Sequence, residues 1–333
     1  MIFRERSGPN VLISSGGRRI ALMRAMRESL TARRADAWVG AADAGFSAPI
    51  RFLADKFWPV PRCTHPPFAD AVLQICRDNG IGLVIPTIDT ELPVYARCRN
   101  RFEAEGVAVC ISSEATIGIA ADKEKTHQWL LANDFPTVRQ APPAQAVAEA
   151  ASWRWPLIAK PRDGSASIGV ERIASLAELR HIAATKPACI VQELARGREF
   201  TVNLFVNASG NCVCAVPHWR MEVRAGEVSK GITNKNEKLM DLCVHIAETL
   251  PGARGPLNVQ CFLDEDGSIA IIEINARFGG GYPLAHRAGA RFTDWLLDEQ
   301  EGRELVWFDG WLDDLAMLRY DEAVFVAGKS LTS

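Results

Sequence analysis

An excess of charge of either sign is missing from this sequence. Across 333 residues, 38 lysines and arginines stand against 40 aspartates and glutamates, a net charge of −2. No basic surface therefore argues for nucleic acid or an anionic membrane as partner. Long apolar runs are missing too. No stretch is long enough to span a bilayer, and residues 1–10 contain no apolar core of a secretory signal. A cytoplasmic location is the expectation. The nine cysteines contain no C-x-x-C pair and the six histidines no H-E-x-x-H, which argues against zinc and disulfide frameworks and for reduced thiols. There is no internal repeat, low-complexity tract or long linker. With 48% hydrophobic and 23% charged residues, the composition is that of a soluble globular protein with room for two or three domains.

Within residues 1–115, strands and helices alternate. Strands are expected at 10–14, 37–42, 82–86 and 107–111, with helices at 19–30 and 69–79. Such alternation implies a parallel sheet with helices on both faces. Ligands of these sheets sit beyond the carboxyl ends of the strands, where Ser15, Gly16, Gly17, Asp43, Asp89, Thr90 and Glu91 fall. The run Ser14-Ser15-Gly16-Gly17-Arg18-Arg19 lacks the G-x-G-x-x-G spacing of a dinucleotide site. From residue 120 the composition changes. A helix opens at Asp122-Lys123, and a strand over 156–160 ends in Lys160-Pro161. The small, hydroxyl-rich loop 162–170 follows, either a cover for phosphates or a plain hairpin connection. Further strands are expected at 189–193 and 198–206, a hairpin over 219–230 turning at Ala225-Gly226, and helices over 237–250 and 288–300.

Residues 258–281 carry the densest signal. Two alternating runs flank Asp264-Glu265-Asp266-Gly267, which reads as a β-hairpin. Alternation puts Glu273 and Asn275 on one face of the second strand and Asn258 and Gln260 on one face of the first. Ile272, Ile274, Val259 and Leu263 are expected on the other. Converging oxygen ligands suit Mg²⁺, and Arg277, two residues beyond Asn275, suits a phosphate. The alternative is a solvated sheet face.

Lys123, Lys160 with its loop, Val191-Gln192-Glu193-Leu194, Gly197-Arg198-Glu199-Phe200, Asn258-x-Gln260 and Glu273-x-Asn275-x-Arg277 occur in that order. In this ordered set the chain resembles the ATP-grasp superfamily, and within it the single-module relatives of the carbamoyl-phosphate synthase large subunit. The resemblance implies an N-terminal parallel, Rossmann-like pre-ATP-grasp sheet (1–115), then a two-lobed ATP-grasp fold with antiparallel sheets. Its small lobe would span 116–190 and its large lobe 191–333. It implies ATP and Mg²⁺ (or Mn²⁺). By position, Lys123 and Lys160 would contact phosphates, with Ser165 and Ser167 in the covering loop. Gln192 would face the adenine amino group, Glu193 and Leu194 would supply hinge backbone bonds, and Glu199 would hold the ribose. Glu273 would bridge two metal ions, with Gln260 and Asn275 completing the shells. Arg277, with Lys160, would act on the transferred phosphate or a substrate carboxylate. Two departures stand out: Gln192 replaces a common glutamate, and the loop has fewer glycines than is usual.

The activity implied is that of a carboxylate–amine ligase working through an acyl phosphate, with small molecules or a short peptide as substrates. A kinase on the same scaffold and a non-catalytic nucleotide-binding regulator are the competing readings, and a homodimer is left open. For the substrates, Asp89 and Glu91 are candidates to bind an amine, and Arg224 or Lys230 a carboxylate, each against a plain salt-bridge role. Arg18 and Arg19 read as the start of a solvated helix face, and His218 as a satisfied polar residue.

Overall fold

Three sheets follow one another along the chain in the computed structural model, which describes residues 9–164 and 169–331. β1 Asn10–Ser14, β2 Val39–Asp43, β3 Lys56–Pro59, β4 Ile81–Pro86 and β5 Ala108–Val109 form the first, all parallel, in the order β3-β2-β1-β4-β5. Side chains of β1 alternate between two cores. Val11 and Ile13 face α1, Ile20–Thr31, while Leu12 faces α2, Phe68–Asn79, and α3, Leu92–Ala104. Neither β3 nor α3 was expected from the sequence. β3 is four residues ending in proline. In α3 the arginines and glutamate between residues 97 and 103 mask a buried stripe of Leu92, Tyr95, Ala96 and Phe102.

The winding reverses beside β1, where a ligand crevice is usual in such sheets. Here the protein fills it. The Glu91 carboxylate is fully buried and accepts from Ser14 Oγ (2.6 Å), Ser15 Oγ (2.8 Å) and the backbone N–H groups of Thr87 (2.6 Å) and Ile88 (3.2 Å). Glu91 is therefore a structural clamp and not an amine-binding residue, because all its contacts are internal and no water or substrate reaches it. Asp43 likewise accepts from the N–H groups of Gly17 and Gly45, both at 2.7 Å.

α4, Glu114–Ala120, and α5, Lys123–Ala132, lead into the second sheet. It is antiparallel, with β6 Gln140–Ala141, β7 Leu157–Pro161, β8 Glu171–Ile173 and β9 Cys189–Glu193 in the order β6-β9-β7-β8, over a small core of its own. The third sheet holds β10 Arg198–Val206, β11 Cys212–Arg224, β12 Glu227–Thr233, β13 Gly255–Leu263, β14 Ile269–Asn275 and β15 Ala316–Leu318, antiparallel, in the order β14-β13-β10-β11-β12-β15. The β11–β12 turn has positive φ at both Ala225 (50°) and Gly226 (77°), the conformation a two-residue hairpin needs. Phe200, Val202 and Leu204 bury against the helix Glu237–Thr249. Phe205, Val213 and Val216, on the opposite face, join a core with Ile13, Met26 and Phe292. The first and third sheets thus share packing. The helix expected over 288–300 begins only at Phe292 and runs to Gln300; a separate short helix, Tyr282–Arg287, precedes it, and Gly289 at φ 111° lies in the break between them. Among the described residues no helix is long and apolar enough to cross a membrane.

Replacing Glu91 by Ala strands four donors, those of Ser14 and Thr87 buried and those of Ser15 and Ile88 half-buried, and the expected loss of folding stability is roughly 2–4 kcal/mol. Urea denaturation would read it as a lower midpoint at unchanged slope. An unshifted midpoint would mean that those donors find other partners.

Candidate active site

The polar pairs of the β13–β14 hairpin do meet. Asn258 lies opposite Asn275, and Gln260 opposite Glu273. The next pair is Cys261 with Ile271, so Ile272 has no partner and forms a bulge. The bulge corrects one expectation: Ile271 and Ile274 enter the core, whereas Ile272 turns to the polar side and lines a cavity beside Glu273. The face continues across the sheet. Thr201 pairs with both Gln260 and His218, and Asn203 with Asn258. Four strands therefore present Glu199, Thr201, Asn203, His218, Arg220, Asn258, Gln260, Glu273 and Asn275 on one side.

Two cavities meet on this face. One, of about 250 Å³, is lined by Lys123, Lys160, Gln192, Leu194, Phe262 and Ile272. The other, of about 190 Å³, is lined by Arg19, Arg220, Glu227, Asn258, Asn275 and Arg277. Glu199, Gln260 and Glu273 line both. Lys160, at the end of β7, is only 7% exposed. Burial pushes its ammonium down to about 8, resisted by the Glu273 charge and assisted by Lys123. Burial raises the Glu273 carboxyl in turn, opposed by Lys123 and Lys160. Among the described residues, no hydrogen bond or ion pair reaches the Glu273 carboxylate.

Other charges are already matched. Arg277 makes a bidentate pair with Asp89 (2.7 and 2.6 Å) and donates to the Phe278 carbonyl and Asn275 Oδ1. Arg220 Nε lies 3.0 Å from Glu199, and its other nitrogens donate to Thr201 Oγ1 and the Gly226 carbonyl. Lys123 follows Asp122, whose carboxylate caps α5, and its Nζ donates to the Gly164 carbonyl at 2.7 Å. Arg162 grips Asp122 through two nitrogens, so the loop begins on a fixed base.

Residues 11–110 match the family described as PylC-like, N-terminal domain, and residues 120–281 match the ATP-grasp domain. The chain is an ATP-grasp protein. No curated protein matches it in sequence. Solved structures share its fold at low identity. The biotin carboxylase domain of Hydrogenobacter thermophilus 2-oxoglutarate carboxylase, a dimer complexed with MgADP, ADP and bicarbonate, is 15% identical with a TM-score of 0.74, covering 94% of this chain and 74% of its own. N5-carboxyaminoimidazole synthetase from Staphylococcus aureus, complexed with ADP, is 15% identical at 0.72, covering 91% and 79%. L-amino acid ligase from Bacillus licheniformis is 19% identical at 0.67, covering 92% and 77%.

In the ATP-grasp cleft, Lys123, Lys160, Gln192, Glu193, Leu194, Glu199, Gln260 and Glu273 line one cavity together, and Asn275 and Arg277 the adjoining one. Ser165 and Ser167 lie outside the described residues. At Glu193 the N–H already donates to the Arg139 carbonyl and the carboxylate is held by Arg154, so a hinge backbone bond from this residue would be made by its carbonyl. The four substrate candidates do not assemble. Beside the buried Glu91, Asp89 is committed to Arg277. Arg224 pairs with Asp321 at the surface, and Lys230 with Glu222 (2.7 Å). On β12, Gly231 sits opposite Arg220 on the cleft side, so its neighbour Lys230 points away.

Two positions on the cavity wall were missed. Arg19 is no solvated helix residue: it pairs with Glu227 at 2.7 Å on the cavity wall. Arg220, 8% exposed, is central to the face. The alternation His218-x-Arg220 and Thr201-x-Asn203, within otherwise apolar strands, was the available signal. His218 is buried but only half satisfied: Nδ1 lies 3.1 Å from the Asn203 amide, whereas Nε2 has no hydrogen-bond partner among the described residues. Burial takes it down to about 3, so it is neutral.

The free Lys160 ammonium loses its proton near pH 8, whereas phosphate beside it would hold the proton on. Binding of MgADP should therefore take up a proton above pH 8, and affinity should fall as pH rises, to about tenfold weaker at pH 9 than at pH 7. Calorimetry in buffers of differing ionisation enthalpy measures both effects. Lys160→Met should flatten the profile, and adenosine should bind independently of pH.

Proposed function

We propose that this protein is an ATP- and Mg²⁺-dependent ligase that joins a small-molecule or short-peptide carboxylate to an amine. The observation that carries the reading is Glu273. It is a half-buried carboxylate without a protein partner, at the junction of a cavity with two lysines and a cavity with three arginines. Among the described residues no cluster of three His, Cys, Asp or Glu exists, so the protein offers no closed metal cage. One free carboxylate flanked by the amide oxygens of Gln260 and Asn275 suits Mg²⁺, which fills its shell with phosphate oxygens and water. When bound there, the metal would neutralise charge on the phosphates.

The residues divide the remaining work. In this reading, Lys160 and Lys123 face the phosphates, and Gln192 with the Leu194 backbone faces the base. Gln192 keeps a carbonyl oxygen able to accept from an adenine amino group, and Glu199, steadied by Arg220, faces the ribose. A carboxylate is inert to amines because its leaving group would be oxide. Its oxygen attacks the γ-phosphorus, the bond to ADP breaks, and an acyl phosphate results. The amine nitrogen then attacks the acyl carbon, the bond to phosphate breaks, and the departing phosphate can take the proton the amine loses. Such chemistry asks the protein for position and charge compensation, and for no nucleophilic side chain. Arg277, aimed by Asp89, supplies positive charge where the acid enters. We also place in this proposal the three-part division at 1–115, 116–190 and 191–333, and a cytoplasmic location.

An ADP-release screen over a matrix of carboxylic acids and amines, followed by product mass, tests the reading. Joint dependence on acid and amine is expected. ADP release that ignores the amine would favour a kinase instead. Glu273→Ala should abolish Mg²⁺-dependent turnover, at least 10³-fold, while circular dichroism stays that of the parent. Normal turnover in that variant would sink the metal assignment.

A further inference from the structure

A third and larger space, of about 750 Å³, opens beyond the arginine-lined cavity. The two share Arg19, Glu227, Val228, Gly279 and Gly280, which form a neck between them. The neck is tightly built. Glu227 accepts from Arg19 (2.7 Å) and from Arg319 (3.1 Å), and Arg319 also donates to the Gly280 carbonyl. A Cβ on Gly280 would lie 2.7 Å from Glu227 Cδ, so only glycine leaves this passage its shape. One side of the chamber is the start of α1. The other is the C-terminal segment 317–325, whose first residues pair with β12. Asp321 and Glu322 tie that segment to Arg224 and Arg24.

The lining has two characters. Ile20, Leu53, Phe278, Tyr282, Met317 and Val324 supply apolar wall. Around them five arginines face only three carboxylates among the described residues, and Arg18 has no carboxylate partner there. Excess positive charge draws anions toward the neck. A volume near 750 Å³ is within the ordinary range for a ligand of drug size, about 300–1,000 Å³, and far beyond what the smallest carboxylic acids fill.

Resting on the ligase reading above, we propose that this chamber holds the body of the carboxylate substrate. The substrate is an acid with a bulky, largely apolar body, on the scale of a large amino acid or a dipeptide. Its carboxylate passes the neck to Arg277 and Arg220, and its body is sized by α1 and the 317–325 segment. Specificity then resides in wall residues that take no part in phosphoryl transfer, chiefly Ala21 and Met317. Ala21 is exposed on α1 and lines the chamber, so a larger side chain there fills space without disturbing a core.

The test is ADP release with acids graded from acetate to N-acyl amino acids and dipeptides, each with a panel of amines. The parent should prefer large apolar acids over acetate by at least tenfold in kcat/KM. Ala21→Trp should raise KM for those acids tenfold or more, and leave MgADP affinity and turnover of the smallest acids within twofold. Met317→Ala should shift the preference toward bulkier acids. A parent that ignores acid size, or an Ala21→Trp protein that handles large acids normally, overturns the chamber assignment and leaves the ligase reading standing. If no acid elicits ADP, the ligase reading itself falls, and this inference with it.

Discussion

An uncompensated carboxylate half-buried in a sheet face is expensive, and the cleft is organised around one. Isolated ionised groups in poorly solvated surroundings either shift their protonation or find opposite charge. Glu273 has no direct partner, only the field of Lys123 and Lys160, which reach toward it from the preceding helix and sheet, and of Arg277. The lysines repel one another, and Lys160 is itself drawn down by burial. Neither sign is satisfied by direct contact with the other. A ligand that brings anionic oxygens to the lysines and a cation to the carboxylate satisfies both at once, which is the electrostatic demand of a metal–triphosphate.

The arginine side of the cleft is arranged differently. Arg277 and Arg220 are each held by a carboxylate, so they are positioned before any substrate arrives. Asp89 does this from the first sheet, across 188 residues of sequence. That one bidentate pair ties the parallel sheet to the polar face of the third sheet. The sheet can be used in this way because its own crevice is closed by Glu91, Ser14 and Thr87. The shared core of Ile13, Met26, Phe205 and Phe292 keeps the two in fixed relation. At that crevice the parallel sheet therefore serves as scaffold and side wall.

Much of this was legible in the sequence. The period-two pattern around Glu273 and Asn275 located the polar hairpin face, and the ordered motifs from Lys123 to Arg277 located the cleft. Strands of the parallel sheet stood out because they are short, apolar and regularly spaced. Less visible were elements whose pattern is blurred: α3, whose charged residues hide its buried stripe, and β3, which ends in proline. Ile272 was misread because strict alternation cannot foresee a bulge. For Lys230 the plain salt-bridge reading held, because register shifts in the β11–β12 pair, which no local pattern betrays, decide which side of β12 faces the cleft.

Local chemistry is what the chain encodes on its own: where strands alternate, where a helix is capped by Asp122, where Ala225-Gly226 turns, and which residue types are available. These follow from steric and hydrogen-bonding preferences that act over a few residues. Which charges neutralise one another is a different matter. Asp89 with Arg277, Arg19 with Glu227, Glu91 with the serines of β1, and the C-terminal segment beside α1 are all partners separated by tens to hundreds of residues. Coulomb energies depend on distance in space and on the solvent left between the groups, and both are set only when the sheets pack.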